Sequence, residues 1–187
     1  LACKNALEEA QRITDKEERG AAVLNTLKKM LDVESLERIE SYDISNISGS
    51  DNVASMVVFC DGKPCKSEYK RFKIDLGGTP NDYESMHQVL SRRFNDYVKK
   101  KQGFEICPDL LLIDGGINHA GVAVQVLKEY ALHIPVFGMV KDDRHRPRAL
   151  VTADGKEIRI DNNQAIFSLI GQIQEETHRF AITYHKK

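Results

Sequence analysis

The sequence predicts a mixed α/β domain: an antiparallel meander of three strands that continues into parallel strands, with helices on both faces of the sheet. Three observations predict it. Residues 38–74 hold short apolar stretches joined by tight turns, the pattern of consecutive hairpins. From Thr79 onward helical periods alternate with apolar strands, the pattern of parallel strands joined by crossover helices. Asp109–Asp114, Asp-Leu-Leu-Leu-Ile-Asp, has only apolar residues between its acids, as a central strand covered on both faces requires.

The elements follow in order. The first thirty residues are polar and helical: Thr14 and Glu17 have capping-box spacing, and Ala22, Leu24, Leu27 and Leu31 make an apolar stripe. They read as a lead-in over residues 1–35, before a domain over 36–187. Arg38–Ser45 and Val53–Cys60 are the first two strands, and Asp61-Gly62 turns the chain into a third, Ser67–Ile74. Thr79-Pro80 opens a helix, with Thr79 as cap and Tyr83, Met86, Leu90, Phe94 and Tyr97 on its buried stripe. Lys99-Lys100-Lys101 suits the negative end of its dipole, and Gly103 stops it. After the Asp109–Asp114 strand come a helix at Ala120–Tyr130, a strand at Ile134–Val140 and a hairpin around Asp154-Gly155. A final helix runs from Gln164 to about His185, with Ile166, Ile170, Ile173, Thr177, Phe180 and Tyr184 facing the core.

Composition leaves the function open. A length of 187 residues suits one domain with a small appendage, and 41 % hydrophobic with 29 % charged residues is ordinary for a globular protein. No apolar run reaches the roughly eighteen residues of a membrane-spanning helix. A net charge of −1 does not mark a nucleic-acid binder, and does not exclude one, because binding follows a local patch. Cys3, Cys60, Cys65 and Cys107 form no pair of pairs, and no further Cys or His stands at zinc-ligand spacing, so reduced thiols of a cytosolic protein are expected. The start, Leu-Ala-Cys-Lys-Asn, is not a signal peptide and reads as a fragment of a longer chain.

Three residues carry candidate chemistry. Asp43 shares a strand face with Ile39, Ser41 and Ser45, where a carboxylate is costly to bury unless a cation meets it. It either caps the turn that Ser48-Gly49 begins or ligates a metal. Asp114, beside Gly115-Gly116, is either a turn-forming residue or a second ligand, since adjacent strands of an α/β sheet bring such acids together at one edge. Paired carboxylates are what a hard divalent cation needs. An ATPase is not expected, because Val122 and Ala123 stand where a phosphate loop requires Lys and Ser/Thr. His178 flanks the stripe of the last helix and shares a row with Gly171, Glu175 and Ile182, which is either a satisfied edge or the wall of a cleft. Asp82, three residues after Thr79, suits a capping box.

Taken in order, Asp43-Ile44-Ser45, Val53–Phe59, Arg71-Phe72, Tyr83–Phe94, Leu112-Ile113-Asp114-Gly115-Gly116 and His178-Arg179-Phe180-Ala181 resemble the C-terminal endonuclease region of the UvrC family, over about Ile39 to Lys187. The resemblance implies a ribonuclease-H-like fold and cleavage of the damaged DNA strand 5′ to a lesion in bacterial nucleotide excision repair, using Mg²⁺ or Mn²⁺. It implies UvrB as a partner, with UvrA upstream in the pathway. The family's active-site Asp, Asp and His fall on Asp43, Asp114 and His178, as catalytic residues and metal ligands, and a further acid tied to incision falls on Asp82. The sequence departs from the family's usual His at Asn46 and from its usual Lys at Ile117. Phosphate contacts are expected from Arg179, Lys141, Arg144, Arg146 and Arg148. The competing readings are a catalytically idle nucleic-acid-binding module and a protein-docking module within a repair assembly.

Overall fold

The computed structural model describes residues 2–45, 52–75, 77 and 81–183. Its elements are α1 (Ala2–Leu31), β1 (Arg38–Ser45), β2 (Asn52–Cys60), β3 (Lys63–Pro64), β4 (Lys70–Ile74), α2 (Asp82–Val98), β5 (Leu110–Ile113), α3 (Ile117–Glu129), β6 (Val136–Lys141), β7 (Pro147–Val151), β8 (Glu157–Arg159) and α4 (Gln164–Ile182). They build one mixed sheet in the order β3-β2-β1-β5-β6-β7-β8, with β4 also on β2. β1 pairs antiparallel with β2 and parallel with β5, and β5 pairs parallel with β6. The predicted α/β class, with a meander feeding a parallel centre, is therefore the one observed.

Strand alternation divides the core. On one face Tyr42, Met56, Val58, Leu111 and Ile113 pack beneath α2 and α3. On the other, Ile39, Val57, Phe59, Leu110 and Leu112 meet the end of α1 and the α4 stripe of Ile166, Ile170 and Ile173. Because β2 is covered on both sides, its run Met56–Phe59 is continuously apolar. Each fully buried isoleucine of α4 contributes about 1.5–3 kcal/mol. Among the described helices none is long and apolar enough to cross a membrane.

Several local expectations are corrected. Thr14 is no cap: it lies inside α1, and its hydroxyl donates to the Ala10 carbonyl at 3.0 Å. The third strand begins at Lys70, because Lys66–Glu68 winds into a single 3-10 turn before it. Thr79 and Pro80 lie outside the described residues. The cap of α2 is Asn81, whose side chain accepts from the Tyr83 and Glu84 amides at 3.0 and 3.2 Å, the geometry of an Asx cap. The first left-handed residue after that helix is Lys100, with φ 53°, and Gly103 follows with φ 84°. Tyr83 is 46 % exposed rather than part of the core stripe, while Met86, Leu90 and Phe94 are buried as expected. The last helix ends at Ile182, and Tyr184 and His185 fall outside the described residues, as does Asn46.

The interior also holds charges that periodicity hides. Glu40 on β1 and Arg93 on α2 are both fully buried and lie 2.8 Å apart. Glu40 also accepts from the Tyr42 hydroxyl at 2.6 Å and from Arg38 Nε at 3.1 Å. Arg93 donates onward to the Phe104 and Ile106 carbonyls at 3.1 and 2.6 Å, fixing the segment between α2 and β5. Arg38 in turn bonds Glu68, so two arginines balance two glutamates along this chain of contacts.

Candidate active site

The carboxyl ends of the parallel strands carry the candidate chemistry. The β1–β5 register pairs Tyr42 with Ile113, and the Asp114 amide donates to the Tyr42 carbonyl at 2.9 Å. One residue beyond that pair, Asp43 and Asp114 stand side by side on the face that Ser41 and Leu112 share. α4 supplies the imidazole. Thr177 is fully buried, and its hydroxyl oxygen lies 3.0 Å from Ser41 Oγ, which fixes α4 against β1. The next residue, His178, thereby places Nδ1 3.6 Å from Asp43 Oδ2. The Asp43 side chain is 14 % exposed and that of His178 64 %, so a deep acid meets an imidazole open to solvent.

Lys141, at the end of β6, completes the row: its ammonium lies 2.7 Å from Asp114 Oδ1. Three neighbouring parallel strands thus present acid, acid and base at one edge of the sheet, where ligands bind in α/β sheets. Burial first, and then the Asp114 charge, push the Asp43 carboxyl up to about 6, while His178 and Lys141 pull in the opposite direction. Two carboxylates side by side, offering hard oxygen donors beside an imidazole, fit Mg²⁺ or Mn²⁺. A cavity of about 400 Å³ opens beside them, lined by Asp114, Lys141, His145, Arg146, Glu175 and His178 among others.

Close backbone approach shapes the loop after Asp114. A Cβ on Gly138 of β6 would lie 2.5 Å from the Gly115 carbonyl oxygen and 3.0 Å from that of Gly116. A Cβ on Gly115 would meet the His119 ring at 2.6 Å. Gly138→Ala should therefore displace the Asp114-Gly115-Gly116 turn, with an expected loss of about 1–3 kcal/mol in denaturant unfolding. Metal affinity, followed by calorimetry, should fall with it.

The other predicted site residues are dispersed. Asp82 is exposed at the start of α2. Its neighbour Tyr83 stacks on His119 with ring centroids 4.9 Å apart, which sets the beginning of α2 against the beginning of α3. Arg179 makes two 2.7 Å bonds to Glu176, Arg146 pairs with Asp142 at 2.9 Å, and Arg148 lies 3.4 Å from Glu157. Arg144 is exposed, and among the described residues its guanidinium has no ion pair. Sequence reasoning missed the Lys141–Asp114 ion pair and the buried Glu40–Arg93 pair. A lysine ending an apolar strand beside the strand of Asp114 was the available signal for the first.

The fold is thus a mixed sheet that carries two acids on adjoining parallel strands and a histidine from the last helix beside them. The model of the UvrC RNAse H endonuclease domain matches residues 28–182, and the chain belongs to that family. It is 46 % identical over 198 residues to UvrABC system protein C of Thermoanaerobacter pseudethanolicus, covering 98 % of this chain and 32 % of that protein. It is 44 % identical over 196 residues to the protein of the same description from Lachnospira eligens, covering 100 % of this chain and 32 % of that one. The chain thus spans about a third of the length of the curated relatives it matches. Among solved structures, human ENDOV aligns with a TM-score of 0.46 at 12 % identity, covering 80 % of this chain and 86 % of that chain.

Proposed function

We propose that this domain hydrolyses a phosphodiester of damaged DNA with Mg²⁺ or Mn²⁺ bound at Asp43, Asp114 and His178, making the 5′ incision of nucleotide excision repair in the bacterial cytoplasm. The observation that carries the reading is the juxtaposition of Asp43 and Asp114 on adjacent parallel strands, with His178 facing Asp43. Family membership supports the nuclease class, and the relatives' description as UvrABC system protein C supports UvrB as partner, with UvrA upstream.

Bound there, the cation would supply charge neutralisation and an acidified water. The protein's own groups supply the rest. Asp43 orients the His178 ring, which completes the site either as a metal ligand or, through its exposed side, as acceptor of the attacking water's proton. Lys141, which neutralises Asp114 in the absence of metal, is the ammonium best placed to meet a non-bridging phosphate oxygen. Asp82 would act from the start of α2, on the flank where Tyr83 meets His119. Arg144, Arg146, Arg148 and Arg179 would hold flanking phosphates. The exposed ion pairs that three of them make are worth little and exchange readily for phosphate.

Manganese titration calorimetry on wild type and Asp43→Asn tests the site without requiring DNA. Wild type should bind and the variant should not; equal isotherms would remove Asp43 from the site and favour a catalytically idle module. For DNA contact, Arg144→Ala should weaken binding across sequences and reduce the slope of log affinity against log salt by about one, read by fluorescence anisotropy.

A further inference from the structure

A second group of metal-ligating side chains lies far from the first. Cys60, Cys65 and Glu68 bring one ligand atom each within 4.8 Å of one another, the one such trio among the described residues. The chain builds it locally. Asp61 and Gly62 both take positive φ, 50° and 78°, giving the tight two-residue turn whose twist matches a hairpin. Cys60 then pairs with Lys63 and Phe59 with Pro64, and the Cys65 amide donates to the Val58 carbonyl at 2.8 Å. Cys65 therefore lies opposite Val58, on the face that Val58 and Cys60 share. The 3-10 turn Lys66–Glu68 brings a carboxylate oxygen of Glu68 within 4.8 Å of both sulfurs. Cys60 is paired across the strands with Arg38, five positions along β1 from Asp43, or about 17 Å.

We propose that Cys60, Cys65 and Glu68 form a structural binding site for a thiophilic divalent cation, Zn²⁺ by preference. Two thiolates select zinc over the hard cations that suit Asp43 and Asp114. On binding, each thiol gives its proton to solvent, so two protons leave for every ion taken up. Two thiolates and a carboxylate then carry three negative charges, which the cation and the neighbouring Arg38 guanidinium match. Arg38 holds one oxygen of Glu68 and is itself fixed by Glu40, leaving the second oxygen of Glu68 for the metal. Such an outer partner orients a ligand before the ion arrives. The fourth position is left to water. The sulfurs' spacing in sequence shows none of this, because the third ligand is a carboxylate delivered by a turn.

The test uses the reduced chain carrying Cys3→Ser, Cys107→Ser and Asp43→Asn, so that only the two thiols in question remain and the first site is disabled. Cobalt(II) should produce thiolate-to-metal charge-transfer absorption saturating at one ion per chain, with release of two protons, and Zn²⁺ should displace it. Cys60→Ser or Cys65→Ser should abolish the band, and Glu68→Gln should weaken affinity about tenfold or more while keeping it. A folded parent without the band, or a band that survives Cys65→Ser, overturns the proposal. So does an intact mass short of two hydrogens in the unreduced parent that persists with excess Zn²⁺, which would make the pair a disulfide.

Discussion

Replacing Arg93 with methionine is expected to destabilise the protein by about 3 kcal/mol, the low end of the cost of breaking a buried ion pair, because Arg38 stays 3.0 Å from Glu40. Glu40 would lose the guanidinium 2.8 Å away in a site with no solvent exposure, and the Phe104 and Ile106 carbonyls would lose their donor. For a chain of this length the shift in melting temperature is about 2–4 °C per kcal/mol, so a fall of roughly 10 °C should appear in circular dichroism. The double variant Glu40→Leu/Arg93→Met should lose less than the sum of the singles, because it removes both charges together. Additive losses would show that the pair does not act as a unit. Arg38 keeps the remainder high, since without Glu40 it holds Glu68 alone.

Asp43→Asn should act in two opposite directions. In chelator at about pH 7.5 the variant should melt higher than wild type. Folding raises the Asp43 carboxyl from its ordinary 3.8 to about 6, through burial and then the Asp114 charge. A raised carboxyl favours the folded state while protonated: that contribution is complete below about 3.8 and is lost as pH climbs through about 6. At neutral pH wild type therefore bears a cost of up to about 3 kcal/mol for the two-unit shift, a net figure in which His178 and Lys141 already offset part of the effect of burial and of the Asp114 charge. Asparagine carries no such charge, so the difference between the proteins should close as pH falls below about 4. With Mn²⁺ at a hundred times its dissociation constant, wild type should gain about 2.7 kcal/mol and the variant nothing. Nicking by the variant should fall more than the roughly 10–100-fold that follows loss of an outer-sphere partner, because a direct ligand is gone. A variant that melts below wild type in chelator at neutral pH would contradict the electrostatic account of Asp43.

The fold class was legible because burial on both faces writes itself into sequence. Met56–Phe59 and Leu110–Ile113 are apolar throughout, and Ile166, Ile170 and Ile173 keep a helical spacing. Element ends were read less well, since caps depend on which side chain reaches an amide. Asn81 rather than Thr79 meets the Tyr83 and Glu84 amides, and a 3-10 turn replaces the first residues predicted for the third strand. Tyr83 kept the period of the buried stripe yet ended 46 % exposed, its ring stacked on His119 at the start of α3.

By itself the sequence determined the alternation of strands and helices, the acid within the first strand and the acid that ends the apolar one, because periodicity and turn residues are local properties. It also placed His178 on the row of Gly171 and Glu175, which lines the cavity. Tertiary structure alone decided which charges meet. The parallel register sets Asp43 beside Asp114, the Thr177–Ser41 contact aims His178, and Lys141 arrives from a third strand. It alone buried Glu40 against Arg93, and it brought Glu68 close to two cysteines. Charge pairing acts through space between residues distant in sequence, and no period along the chain records it.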